Sequence, residues 1–146
     1  SLQPVHGRLC TVHSPQGVTV IDDCYNANPG SVRAAIDMLA GCPGRRTLVL
    51  GGMRELGADS SALHREVGEY ALAAGIDQLW GVGPELEVCV SAFGSNGRFF
   101  EDRPAVLSAL QGQFGAGDTV LVKGSRSAGM EQVLQALLPD LQAQEH

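Results

Sequence analysis

At 146 residues the chain fits one domain, long enough to bury roughly two-thirds of the surface its unfolded form exposes and to hold a core without staples. Ten basic against sixteen acidic residues leave a net charge of −6, with no basic stripe and no interleaving of aromatic and basic residues, which argues against a nucleic-acid partner. Cys10, Cys24, Cys42 and Cys89 lie far apart with no C-x-x-C pair, and no run approaches the ~20 apolar residues of a membrane span. The expectation is a monomeric cytoplasmic protein with reduced thiols, without a metal knuckle, a membrane segment or a signal peptide.

The opening "SLQPVHGRLCTVHSPQG" lacks an initiator methionine and a settled element before residue 8, and reads as a piece cut from a longer chain. "GRLCTVH" and "GVTVIDD" are short β-type runs on either side of Ser14-Pro15-Gln16-Gly17, a turn-forming cluster, and predict a hairpin. A helix follows with Asn28 as N-cap, Pro29 at its first position, and Val32, Ile36 and Leu39 on one face; Gly41, Pro43 and Gly44 end it. "RTLVLGG" is a strand, and the loop "MRELGADS" leads to a helix with Leu63, Val67, Ala71 and Ala74 in register. Asp59 or Ser60 is its expected cap and Gly75 its stop. "DQLWGVG" with "PELEVCVSAF", "GRFF" with "DRPAVLSALQGQF", and "DTVLVKG" with "SRSAGMEQVLQALL" complete the alternation.

Strands alternating with helices at this spacing predict an α/β, Rossmann-like three-layer domain: a mostly parallel sheet, helices on both faces and the N-terminal hairpin. "LVLGG" and "TVLVKG" are apolar without alternation, as strands buried on both faces require. Ligands of such sheets sit beyond the carboxyl ends of the strands, where strand order reverses. Chain direction alone therefore gathers Asp22 to Asn28, Gly51 to Leu56, Gly81 to Pro84 and Lys123 to Arg126 along one rim.

Three of these segments carry more polar groups than a turn needs. In "IDDCYNANPGS", capping explains one or two residues, but not Asp23, Tyr25 and Asn26 together; carboxylates there suit sugar hydroxyls or a metal-bound phosphate, and the amides suit a base edge. "LGGMRELGADS" combines glycines that permit close backbone approach with Arg54 and Glu55, and serves equally as a plain turn. His64 and Gly68 share a helical face four residues apart; a lone helical histidine is more often packed or solvated than functional. "VLVKGSRSAGME" sets Lys123, Ser125 and Arg126 just before a helix N-terminus, a receptor for carboxylate or phosphate, against the plainer reading of a turn capped by Ser127. There is no G-x-x-x-x-G-K-[ST] phosphate loop, no H-E-x-x-H and no G-x-S-x-G elbow.

From about Gly7 onward, "DDCYNANPGS", "GGMRELG" with His64 following, and "VLVKGSRSAGME" resemble, in this order and spacing, the C-terminal domain of the Mur ligases. The likeness is greatest to the branch that joins D-alanyl-D-alanine to UDP-N-acetylmuramoyl-tripeptide. The resemblance implies that residues 1–146 are the third domain of a three-domain, ATP-dependent ligase of peptidoglycan precursors that works through an acyl phosphate. It implies a first domain for the UDP-sugar peptide and a central domain for the phosphate loop and the Mg2+ ligands, so that this piece alone is inactive. Carried over by motif, Asp23 meets the ribose of ATP and Tyr25, Asn26 and Asn28 its base. Arg54, Glu55, His64, Lys123, Ser125 and Arg126 face the dipeptide or the acyl phosphate. One departure stands out: Gly51-Gly52-Met53 replaces the usual Gly-Asp-Met, so no role of that carboxylate is carried over. Two other readings remain at this point, a free-standing Rossmann-like module that binds a nucleotide or acyl carrier without chemistry, and the C-terminal domain of a folylpolyglutamate synthetase.

Overall fold

The computed structural model describes residues 10–13, 17–23, 27–53, 56–110, 112–124 and 129–143, with backbone alone for 10–13 and 138–143. Tyr25, Asn26, Arg54, Glu55, Ser125 and Arg126, and the expected cap Ser127, lie outside the described residues.

Among the described residues one sheet of six strands forms: β1 (Cys10–His13), β2 (Thr19–Asp23), β3 (Arg46–Gly51), β4 (Gln78–Val82), β5 (Gly97–Phe100) and β6 (Thr119–Lys123), in the order β1-β2-β6-β3-β4-β5. β1 pairs antiparallel with β2, which is the expected hairpin, and every other pairing is parallel. The helices are α1 (Pro29–Ala40), α2 (Ser60–Ala74), α3 (Glu87–Phe93), α4 (Arg103–Ala109) and α5 (Glu131–Ala143).

The expected start of α1 holds. Asn28 accepts from the Ser31 amide at 2.9 Å while the Ser31 hydroxyl accepts from the Asn28 amide at 3.0 Å, a reciprocal cap with Pro29 just inside it. Val32, Ile36 and Leu39 are fully buried. Gly75 stops α2 in the left-handed region, as expected. Asp59 does stand at the cap of α2, yet its side chain makes no capping bond, because a 3-10 turn over Gly57–Asp59 already leads the chain into the helix. The last helix opens later than "SRSAGMEQVL" suggests, at Glu131, after a turn through Gly129 at φ 67°.

Two apolar layers sandwich the sheet. One packs Ile36 and Leu39 of α1, Val67 and Ala71 of α2, and Cys89 and Phe93 of α3 on Leu48, Leu50, Leu79 and Leu121. The other packs Val106 of α4 and Val133 and Leu137 of α5 on Val20, Val49, Trp80 and Val122. The strands alternate between these layers, so β3 and β6 are buried throughout except at Arg46, as their unbroken apolar runs predict. The Cys89 thiol lies in the first layer, where burial pushes it up to about 12. No helix among the described residues is long and apolar enough to cross a membrane.

These layers fix where strand order reverses. β2, β3 and β4 hand the chain to helices on one face, whereas β6, lying between β2 and β3, hands it to α5 on the other. The crevices beside the carboxyl end of β6 are thus the place where such a sheet opens to a ligand.

Candidate functional site at the carboxyl ends of the strands

Register brings the first two residues together. Asp23, the last residue of β2, stands opposite Lys123, the last residue of β6, and their side chains meet at 3.0 Å. The Lys123 side chain is 3% exposed and that of Asp23 15% exposed. Enclosure of this degree requires the pair to be matched, since a buried ammonium without its carboxylate is strongly unfavourable. Lys123 was expected to face a substrate anion; in the structure its ammonium is engaged by the Asp23 carboxylate.

β3 ends beside Lys123, and its loop begins Gly51-Gly52-Met53. His64, fully buried on α2, holds this loop. Its Nδ1 lies 2.8 Å from the Ser60 carbonyl oxygen, which can only accept, so Nδ1 carries the proton and Nε2 is left to accept from the Met53 amide at 3.1 Å. A ring so enclosed, with both nitrogens used, positions the loop and does not itself face a ligand. The direct substrate contact expected of His64 is corrected accordingly.

The missing carboxylate at position 52 has a structural counterpart. A Cβ on Gly52 would collide with the Glu85 carboxylate, which reaches over from the 3-10 turn Pro84–Leu86 after β4. A side chain at 52 would have to displace the exposed Glu85 side chain, and an acidic group is present at this point of the rim from a different part of the chain. Asn28 lies exposed at the head of α1, its carbonyl oxygen spent on the cap. Among the described residues, no three His, Cys, Asp or Glu side chains gather as a metal site.

The structure thus brings Asp23, Lys123, the Gly51-Gly52-Met53 turn and Glu85 to one end of the sheet, with Asn28 at the head of the helix that follows β2. Glu85 escaped the sequence reading because its relevance depends on a loop-to-loop approach; the only trace in the sequence is the glycine at 52 where a carboxylate is usual.

The Mur ligase, glutamate ligase domain model matches residues 7–126. The chain belongs to the Mur ligase, glutamate ligase domain family. The UDP-N-acetylmuramoyl-tripeptide–D-alanyl-D-alanine ligase of Escherichia coli K12 is 45% identical over 139 residues, a match covering 94% of this chain and 30% of that protein. A crystal structure of the MurF ligase of Thermotoga maritima in complex with ADP superposes with a TM-score of 0.84 at 31% identity, covering 99% of this chain and 33% of that one. Escherichia coli FolC in complex with ADP shares the fold, with a TM-score of 0.60 at 20% identity over 88% of this chain and 30% of its own. This Mur ligase domain therefore spans about 30% of the length of the curated relatives it matches.

Proposed function

We propose that this chain is the third, C-terminal domain of a longer ATP-dependent ligase that joins D-alanyl-D-alanine to UDP-N-acetylmuramoyl-tripeptide in the cytoplasm, acting as a monomer. ATP phosphorylates the terminal carboxylate of the tripeptide and ADP leaves. The dipeptide amine then attacks the acyl carbon, a C–N bond forms, and the C–O bond to phosphate breaks as the amine loses its proton. Preceding domains hold the UDP-sugar peptide, the phosphate grip and Mg2+; the described residues here offer no metal cluster, and no step of ours passes through a metal on them.

In this reading Asp23, fixed by Lys123, meets the ribose, while Tyr25, Asn26 and the amide nitrogen of Asn28 meet the base. Arg54, Glu55, Ser125 and Arg126 receive the dipeptide, with His64 holding the start of their loop. One observation supports it above the rest: the segments shared with a relative of that name at 45% identity run to the switch-point end of the sheet, where Asp23 and Lys123 lie 3.0 Å apart.

The test is turnover by the protein from the full reading frame, supplied with ATP, the UDP-sugar tripeptide and D-alanyl-D-alanine. The expected products are the pentapeptide precursor, ADP and phosphate in equal amounts, with no turnover by residues 1–146 alone. Glutamate addition to a folate would favour the folylpolyglutamate reading, and nucleotide binding without any ligation would favour the non-catalytic module.

A further inference from the structure

At the carboxyl rim the loop after β3 starts in close contact with the end of β6. Gly51, the last residue of β3, lies beside Gly124, the residue after β6, and both are buried. A Cβ on Gly124 would stand 3.2 Å from the Gly51 Cα and press on the buried Met130 side chain. With no side chain between the two backbones, a displacement of the loop after β3 passes directly to the end of β6. Gly52, the next residue, lies beneath the Glu85 carboxylate.

This loop is tied to α2 through one buried ring. The Met53 amide donates to His64 Nε2 at 3.1 Å, and the ring is 0% exposed. The other nitrogen, Nδ1, lies 2.8 Å from the Ser60 carbonyl oxygen and 3.3 Å from the Ser60 hydroxyl, so the ring cannot turn without losing partners at both ends. Its base is firm as well. One turn further along α2, Gly68 lets α3 approach so closely that a Cβ there would collide with the Cys89 carbonyl. Only one form of the ring serves both bonds, the neutral one with its proton on Nδ1, because a proton on Nε2 would face the Met53 N–H.

We propose that His64 is a positioning residue for substrate recognition: in this one tautomer it latches Met53 and so fixes the Gly51-Gly52 backbone against Gly124 and beneath Glu85. The latch is drawn from the contacts alone; that the substrate it places is the dipeptide and not ATP rests on the function proposed above.

Three substitutions separate the latch from mere filling of the core. His64→Gln carries an amide oxygen to the reach of Nε2 and can still accept from Met53, His64→Asn ends at the reach of Nδ1 and can serve only Ser60, and His64→Leu fills space without either bond. In the 15N-labelled chain, hydrogen exchange at the Met53 amide should quicken about tenfold in the Asn and Leu variants and stay near the parent rate in the Gln variant. The amide resonances of Gly51, Gly52 and Gly124 should move with it, while those of Arg46 and Asp77 at the far end of the sheet hold. In the full-length protein the Asn and Leu variants should raise KM for D-alanyl-D-alanine by about three- to tenfold, the worth of one hydrogen bond, with KM for ATP unmoved and the Gln variant close to the parent. Gln and Leu variants that match each other in Met53 exchange overturn the latch and leave His64 a packing residue. Equal rises in both KM values overturn its assignment to the dipeptide. If the Asn variant fails to fold, the comparison of Gln with Leu decides alone. If the unaltered full-length protein does not ligate, the functional reading fails, and Met53 exchange with the Gly124 resonance still decides the latch.

Discussion

The two ends of the sheet handle charge in opposite ways. At the amino ends, Arg46 donates to Asp77 at 3.0 Å and to the carbonyls of Ala40 and Gly75 at 2.6 Å each, tying the last turns of α1 and α2 to the start of β3. A cation over two helix C-termini also complements their dipoles. Arg45 beside it donates to Asp118 at 2.9 Å and to the Gln113 carbonyl at 2.8 Å. At the carboxyl ends, by contrast, the Asp23–Lys123 pair is enclosed, while Glu85 and Asn28 are exposed. One end spends its polar groups on the fold. The other leaves polar groups exposed at the edge where sheets of this kind take their ligands.

The largest effect should come from breaking the enclosed pair. Asp23→Ala leaves the Lys123 ammonium buried without its carboxylate, and urea unfolding should register a loss of about 3–5 kcal/mol. Converting both residues to apolar ones, Asp23→Leu with Lys123→Met, should recover much of that stability. Nucleotide binding should not return with it, because the ribose contact is gone. Recovery of both would mean that the pair is purely structural.

Arg46→Ala at the opposite end should cost about 2–3 kcal/mol, the range for losing hydrogen bonds from a charged donor, with ligand affinity unchanged. A shift in affinity as large as the shift in stability would erase the distinction between the ends. Asn28→Ala removes a reciprocal cap and should cost about 1 kcal/mol. If thermal stability falls while nucleotide affinity holds, Asn28 belongs with the structural residues despite its place at the functional end.

The smallest effect is the dependence of stability on pH at Asp77. Hydrogen bonds from the Arg46 amide and then its guanidinium hold this carboxyl below the ordinary aspartate value of 3.8. A lowered native pKa stabilises the fold fully above the unfolded value and ceases to as pH falls through the native one. Asp77→Asn should therefore lower stability by less than about 1 kcal/mol near neutrality, as expected of a half-exposed pair, and the difference from the parent should shrink below pH 3.8. A difference that persists unchanged at lower pH would assign the effect to the amide's geometry and not to charge.

What the sequence revealed and what it hid follow from the range of the interactions. The Asn28–Pro29 start of α1, the Gly75 stop and the buried runs of β3 and β6 are set by neighbours within a few residues, and periodicity exposes them. The direction of the strands also sufficed to collect the polar loops at one rim. Asp23 and Lys123, in contrast, are 100 residues apart, and nothing local says that β6 inserts between β2 and β3. Without that strand order Lys123 looks like a solvated cation awaiting a substrate. The same applies to His64: its helical face was legible, but its bond to Met53 depends on the loop after β3 folding back over α2.

The central claim is that the ligand meets the carboxyl end of the sheet around Asp23 and Lys123. Backbone amide shifts of the labelled chain during titration with ADP test it most directly. The account predicts that saturable shifts gather on residues 22–28, 51–56 and 123–130. Shifts gathered instead around Arg45, Arg46, Asp77 and Asp118 at the amino ends would contradict it.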